Sequence, residues 1–89
     1  MMDLYLEVVT PEKILFDGHV GLVDVPGASG RFTVLRDHGP IISTLTRGTV
    51  RIISKEGMEK HFQCREGVVE CVNNHMIILM DHIPQESDF

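Results

Sequence analysis

Val25-Pro26-Gly27-Ala28-Ser29-Gly30-Arg31-Phe32-Thr33-Val34-Leu35-Arg36-Asp37-His38-Gly39-Pro40 sets a short apolar run, Phe32 to Leu35, between two clusters of turn-forming residues. Glycine accepts positive φ and lets another backbone come close, whereas proline fixes its own φ and drives the preceding residue toward extended geometry. The run is therefore predicted to be a strand held between two tight loops, Pro26 to Gly30 and Arg36 to Pro40. Such loops on a rigid scaffold are where binding specificity sits.

Working outward, Leu4, Leu6 and Val8 alternate with Tyr5 and Glu7, the period of two that marks a half-buried strand. Thr10-Pro11-Glu12 turns the chain. Lys13 to Phe16 reads as a second short strand, Asp17-Gly18 has hairpin-turn chemistry, and His19 to Val25 reads as a third strand. Gly21 within it marks a bulge or a close neighbour. Downstream, Ile41 to Leu45, Thr49 to Ser54, Glu59 to Cys64, Val68 to Val72 and His75 to Met80 are strand-length runs. They are separated by Thr46-Arg47-Gly48, Lys55-Glu56-Gly57-Met58, Arg65-Glu66-Gly67 and Asn73-Asn74. Turn signals every 8–12 residues or so, without a sustained 3.6-residue apolar period, predict an all-β fold, an antiparallel sandwich or flattened barrel. The pattern stops at His82-Ile83-Pro84. Residues 1–83 are thus expected to form one domain and 84–89 a short acidic tail.

At 89 residues the chain has room for one modest core. Apolar residues at 43% and charged residues at 24% are ordinary for a globular protein and argue against disorder. Eight Lys and Arg against thirteen Asp and Glu give a formal charge of −5, and the basic residues are scattered, so nucleic acid is not an expected partner. The amino terminus lacks the basic start and apolar core of a secretory signal, and the chain is expected to stay where it is made. Its longest apolar run, Met76 to Met80, falls far short of the ~20 residues a membrane-spanning helix needs, so membrane association would come through a partner. Cys64 and Cys71 flank the expected Arg65-Glu66-Gly67 turn and would face each other across it. Without an export signal they are expected to be reduced thiols.

Five elements in order, Thr10-Pro11, Pro26-Gly27-Ala28-Ser29-Gly30, Phe32 to Leu35, His38-Gly39-Pro40 and Leu45-Thr46-Arg47-Gly48, resemble the epsilon subunit family of F-type ATP synthases. The segment Glu66-Gly67-Val68-Val69-Glu70-Cys71-Val72-Asn73-Asn74 resembles that family's Gly-Gly-x-x-Glu-Val-x-x-Asn hairpin, and the likeness runs from about Leu4 to Asp81. The resemblance implies a β-sandwich of about ten strands and a non-catalytic rotor subunit of the central stalk. Such a subunit links gamma to the ring of c subunits, so that rotation driven by protons or sodium ions is coupled to ATP synthesis. It implies a peripheral position on the cytoplasmic face of the inner membrane, with no cofactor and no nucleotide bound by this chain. Residue by residue, Thr10, His38 and Ser43 correspond to positions facing gamma, and Ser29, Gly30 and Arg31 to the loop that meets the c-ring.

Three departures stand out. Many members continue into two C-terminal helices that restrain ATP hydrolysis and in some cases bind ATP, and this sequence has no residues left for them. Arg31 stands where the family is often acidic, and a reversed charge at a rim contact changes pairing and salt dependence more than fold. Glu66 replaces the first Gly of the Gly-Gly turn, while Gly67 keeps the residue able to take positive φ.

Other chemistry finds little footing. The five histidines, His19, His38, His61, His75 and His82, are dispersed without a His-x-His pair or ligand spacing, so no metal site is expected. Ser29, Ser43, Ser54, Cys64 and Cys71 sit in no nucleophile-elbow string. Gly27-Ala28-Ser29-Gly30 lacks the Gly-Lys-Ser/Thr ending of a phosphate loop. The alternatives are a stand-alone β-barrel binding a small ligand or peptide, which needs a cavity or an open sheet edge, and a small enzyme using His38 or a cysteine.

Overall fold

In the computed structural model, which describes residues 3–84, all regular structure is strand. In chain order these are β1 (Leu4–Val9), β2 (Ile14–Val20), β3 (Leu22–Gly27), β4 (Gly30–Leu35), β5 (Ile41–Leu45), β6 (Gly48–Ile53), β7 (Glu59–Val72) and β8 (His75–Ile83). Val25 to Pro40 forms the end of β3, the whole of β4 and the turn after it. Ala28-Ser29 makes the reversal, Gly27 pairs with Gly30, and Gly30 takes a φ of 134°. At the second loop, the His38 N–H donates to the Leu35 carbonyl at 3.2 Å, and Asp37 adopts a φ of 66°.

The count is eight strands rather than about ten: two expected breaks do not occur, and the expected strand His19 to Val25 is divided at Gly21 between β2 and β3. Asp17-Gly18 is not a hairpin turn: it lies inside β2, opposite Glu7 and Leu6, and the β1 ladder outcompetes the local turn preference. Gly21 lies against a close neighbour, its N–H donating to the Ile53 carbonyl at 2.8 Å. Arg65-Glu66-Gly67 is not a turn either. Its residues lie within the 14-residue β7, where the register with β8 slips between Cys64 and Glu66. One extra residue explains the run: Phe62 and Cys64 face inward before it and Val69 and Cys71 after it, an even set and an odd set that only a bulge can bring to one side. Cys64 and Cys71 therefore share a strand as buried free thiols and do not face each other across a hairpin.

Gly67 owes its identity to crowding, since positive φ is confined to other residues. A Cβ there would lie 2.4 Å from the Leu79 carbonyl oxygen. The true reversal is Asn73-Asn74, with φ of 51° and 63°, the geometry of a two-residue hairpin turn.

The carboxyl half of β7 pairs with β5 and its amino half with β6, both antiparallel, while β8 runs along its other side. Two layers result: β2-β1-β8 with the carboxyl half of β7 and β5, and β4-β3-β6 with the amino half of β7. One pairing departs from the antiparallel expectation. β1 and β8 run parallel, from Tyr5 opposite His75 to Val9 opposite Leu79. A parallel pair needs a long crossover, and the six intervening strands supply it. β2 and β4 each pair on one side only, so the sheet folds over without closing into a barrel.

Leu4, Leu6 and Val8 of β1 and Met76, Ile78 and Met80 of β8 meet Val23, Val25, Val34, Val50 and Ile52 of the other layer in one buried cluster. Side chains fill the interior. The depressions that matter for function lie on its outside.

Candidate docking face

Strand alternation that sends one set of side chains into the core sends the other outward. On the β1-β8-β7-β5 layer the outward set is Val9, Ile77, Leu79, Val68, Val72, Ile42 and Thr44, with Tyr5, Glu7, His75 and Glu70 among them. The register lines them up in rows. Ile42, Glu70, Ile77 and Glu7 form one, and Thr44, Val68, Leu79 and Val9 the next. Ile42 is 80% exposed and Leu79 51%, and Val68 and Val72 are also exposed. Together with Ile77 and Thr44, three of these line a groove of about 470 Å³. Isolated exposed apolar residues are ordinary, whereas a contiguous set across four strands marks an interaction surface.

A polar border closes one side of this face. The Tyr5 ring sits edge-on to His19 and His75, with centroids 5.0 Å and 5.6 Å away. Its hydroxyl donates to the Asp17 carboxylate, which together with burial raises the phenol pKa above its ordinary value. His75 Nε2 lies 2.5 Å from Glu7 Oε2.

The residues singled out from the sequence fall on three loops (Thr10, Ser29 and His38) and two strands (Gly30 and Arg31 on β4, Ser43 on β5). Thr10 is 5% exposed, and its hydroxyl closes the β1–β2 turn, donating to the Lys13 carbonyl at 3.0 Å and accepting from the Lys13 N–H at 3.1 Å. Thr10 and Thr44 line a depression of about 520 Å³ at one end of the apolar rows. Ser43 is half-buried on β5 and borders the neighbouring groove, but it stands opposite the buried Val69, in the inward row that alternates with the outward Ile42 and Thr44. His38 is exposed in the turn before β5, its Nδ1 2.9 Å from the Gly39 carbonyl.

Ser29 and Gly30 form the exposed tip of the β3–β4 hairpin. The Ala28 N–H donates to the Thr44 carbonyl at 3.0 Å, and the Thr46 N–H to the Pro26 carbonyl at 2.8 Å. This pins the tip to the Thr44 end of the docking face. Arg31 points back from the tip: it donates to the Thr49 carbonyl at 2.7 Å and pairs with Asp24 at 3.2 Å. Asp24 also meets Arg51, which reaches Glu59, which meets His61. Exposed ion pairs contribute little individually. Their local consequence is specific, however, because an acidic residue at position 31 would face the Asp24 carboxylate.

Among the described residues no group of three or more His, Cys, Asp or Glu is placed to hold a metal ion. Burial raises the Cys64 and Cys71 thiols above the ordinary range, which keeps them protonated and unreactive at neutral pH. Thus the feature that stands out on the molecule is the apolar face with its loop tip.

The family of the ATP synthase delta/epsilon chain β-sandwich domain matches residues 3–85. The chain belongs to this family. It is 36% identical over 78 residues to the ATP synthase epsilon chain of Chlorobaculum tepidum, spanning 89% of that protein's length. To the epsilon chain of Caulobacter vibrioides it is 37% identical over 83 residues, spanning 94% of it. The fold recurs in a chain of the Euglena gracilis mitochondrial ATP synthase (OSCP/F1/c-ring), with a TM-score of 0.85 at 14% identity. There the likeness covers 92% of this chain and 53% of the other, so the sandwich is about half of that longer chain.

Ile42, Val68, Ile77 and Leu79 were not among the residues singled out from the sequence. Their signal was present: Ile41-Ile42, Val68-Val69 and Met76 to Met80 are apolar at consecutive positions, so those strands are apolar on both faces.

Proposed function

We propose that the chain is a central-stalk rotor subunit of the F-type ATP synthase, joining gamma to the c-ring so that rotation driven by protons or sodium ions is coupled to ATP synthesis. The observation that carries the proposal is the apolar face of β1, β8, β7 and β5, built across four strands and left open to solvent. On this reading gamma covers that face, with Ser43 bordering the groove from the inward row between Ile42 and Thr44, Thr10 beside it as the residue that shapes the adjoining turn, and His38 at the far end of β5. The Ser29-Gly30 tip, with Arg31 at its base, meets the polar loops of the c-ring. The subunit then sits peripherally on the cytoplasmic side of the membrane as part of the F1 sector. Catalytic groups and nucleotide belong to other chains.

The mechanism is mechanical. Close-packed interiors are poorly compressible and transmit strain, and a single core joining two layers passes torque between a side face and a loop tip. The hydrogen bonds from Ala28 to Thr44 and from Thr46 to Pro26 tie the two contact regions directly. An interface with gamma of about 800 Å² per partner is the size of a standard stable complex. The buried cluster occupies the interior that a ligand-binding barrel would use, and the alternative of peptide binding is left to the one-sided edges of β2 and β4.

The test is co-elution with the purified gamma subunit from the same source, followed by calorimetry. Ile42→Asp changes a side chain that is 80% exposed in the free chain, so the fold is unaffected while a covered face would reject the charge. Affinity is expected to fall by at least about tenfold. Equal affinity of the folded variant and the parent would remove gamma from this face.

A further inference from the structure

With β7 counted from Glu66, just past Arg65 at the bulge, the strands of the docking layer carry five carboxylates, Glu7, Asp17, Glu66, Glu70 and Asp81, and no Lys or Arg. All eight basic residues lie in loops, at the bulge or on the other layer: Lys13, Arg31, Arg36, Arg47, Arg51, Lys55, Lys60 and Arg65. On the opposite face Asp24 and Glu59 are interleaved with Arg31 and Arg51. The formal charge of −5 is therefore not spread evenly. It is matched in size by the carboxylates of one sheet.

Two placements give this asymmetry a consequence. Glu70 stands directly between Ile42 and Ile77 in the row at the centre of the apolar groove. A purely apolar partner would strip its water and give nothing back, and a desolvated carboxylate without a counter-charge is strongly unfavourable. Glu66 and Asp81 face each other across β7 and β8, a like-charge pair directly opposite, which destabilises an antiparallel sheet. Both line the depression at the end of the groove, beside Thr10 and Thr44. Glu7, by contrast, already has His75 at 2.5 Å.

We infer that the surface covering this face is cationic around an apolar centre, supplying one Lys or Arg to Glu70 and another to the Glu66–Asp81 pair. The inference rests on the docking reading above and deepens it, by stating what the gamma surface must present. The apolar rows supply contact area, and the carboxylates select the partner. Guanidinium suits the paired site, because its planar fork can reach two carboxylates at once. Charge of opposite sign across the interface also steers encounter, so association is fast at low salt and slows as ions screen it.

The test measures association kinetics and affinity of the chain with gamma between about 50 and 500 mM NaCl, a range over which the Debye length falls from about 14 to 4 Å. The variants are Glu70→Gln, the double variant Glu66→Gln/Asp81→Asn, Glu59→Gln as an opposite-face control, and Ile42→Asp. Expected is an affinity that weakens with salt, a loss of about tenfold or more for Glu70→Gln, and a flattened salt dependence for both docking-face variants. The double variant is expected to bind gamma more weakly yet to melt at a higher temperature as a free chain, since it relieves the repulsion. Glu59→Gln is expected to match the parent. If Ile42→Asp abolishes binding while the carboxylate variants leave affinity and salt dependence unchanged, the charge assignment is overturned and the docking face stands. If Ile42→Asp is neutral, both fall. A rise in the free chain's melting temperature with magnesium or calcium chloride alone, absent in the double variant, would assign the cation to an ion and overturn its assignment to the partner.

Discussion

Replacing Gly67 by alanine adds one methyl group where β7 lies tight against Leu79 and Met80 of β8. Its carbon would lie 2.4 Å from the Leu79 carbonyl oxygen, 2.8 Å from Met80 Cβ and 3.0 Å from Met80 Cα. Real Cβ atoms essentially never come within 3.0 Å of such neighbours. The obstacle is backbone, and β8 is held on its far side by the parallel ladder to β1, so it cannot swing away as a long side chain would. The sheet must open by more than half an ångström beside the bulge, or Met80 must leave its buried position. Overpacking of this kind costs about 1–3 kcal/mol. The less flexible unfolded chain of the alanine variant returns about 0.4–1 kcal/mol. A net loss of roughly 1–2 kcal/mol corresponds, in a domain of this size, to a melting temperature lower by about 4–16 °C. Circular dichroism melts measure it, and urea titration shows whether the m value is conserved, so that the change is one of stability alone. Gly39→Ala is the control, because a Cβ there meets nothing within 4 Å, and it should stay within about 0.5 kcal/mol. A Gly67→Ala protein melting with the Gly39→Ala control would refute the crowding argument and return residues 65–67 to an open turn.

Thr10→Val keeps shape and removes both hydrogen bonds to Lys13; with Thr10 95% buried, a loss of about 1–2 kcal/mol in urea titration is expected. Unchanged stability would show that the hydroxyl is not what closes the turn. The buried thiols give a pH prediction. Their pKa is raised in the fold by burial, so stability linked to them is fully present below the ordinary thiol pKa and is lost as pH rises through the folded value. Alkaline pH should therefore lower the melting temperature of the parent more than that of a Cys64→Ala/Cys71→Ala chain, compared with each protein's own neutral value. Equal shifts would mean that the thiols do not carry the effect. Disulfide-exchange reagents should likewise react slowly with the native chain and quickly in urea, and rapid labelling of native protein would place a thiol at the surface.

Sequence pattern carried the all-β class and the places of most turns, because period-two alternation and the chemistry of Gly, Pro and Asn act within a few residues. Asn73-Asn74 and Ala28-Ser29 turn where their neighbours predict, since the φ values they need are local properties. Order along the chain also carried the family, through motifs spread from Thr10 to Asn74. Three features were settled by partners distant in sequence. Asp17-Gly18 stays in β2 because β1 offers it a ladder, and Arg65 becomes a bulge because two out-of-phase apolar sets must reach one core. β1 meets β8 in parallel across a crossover of six strands, a pairing between residues some 70 positions apart that no local pattern signals. The docking face belongs to the same class. Ile42, Val68, Ile77 and Leu79 are scattered over 38 residues, and their apolar runs say only that both faces of each strand are greasy. Local conformational preference writes strands and turns into the sequence. Which side of a strand is left for a partner depends on which side the core has taken, and that is decided when both layers close.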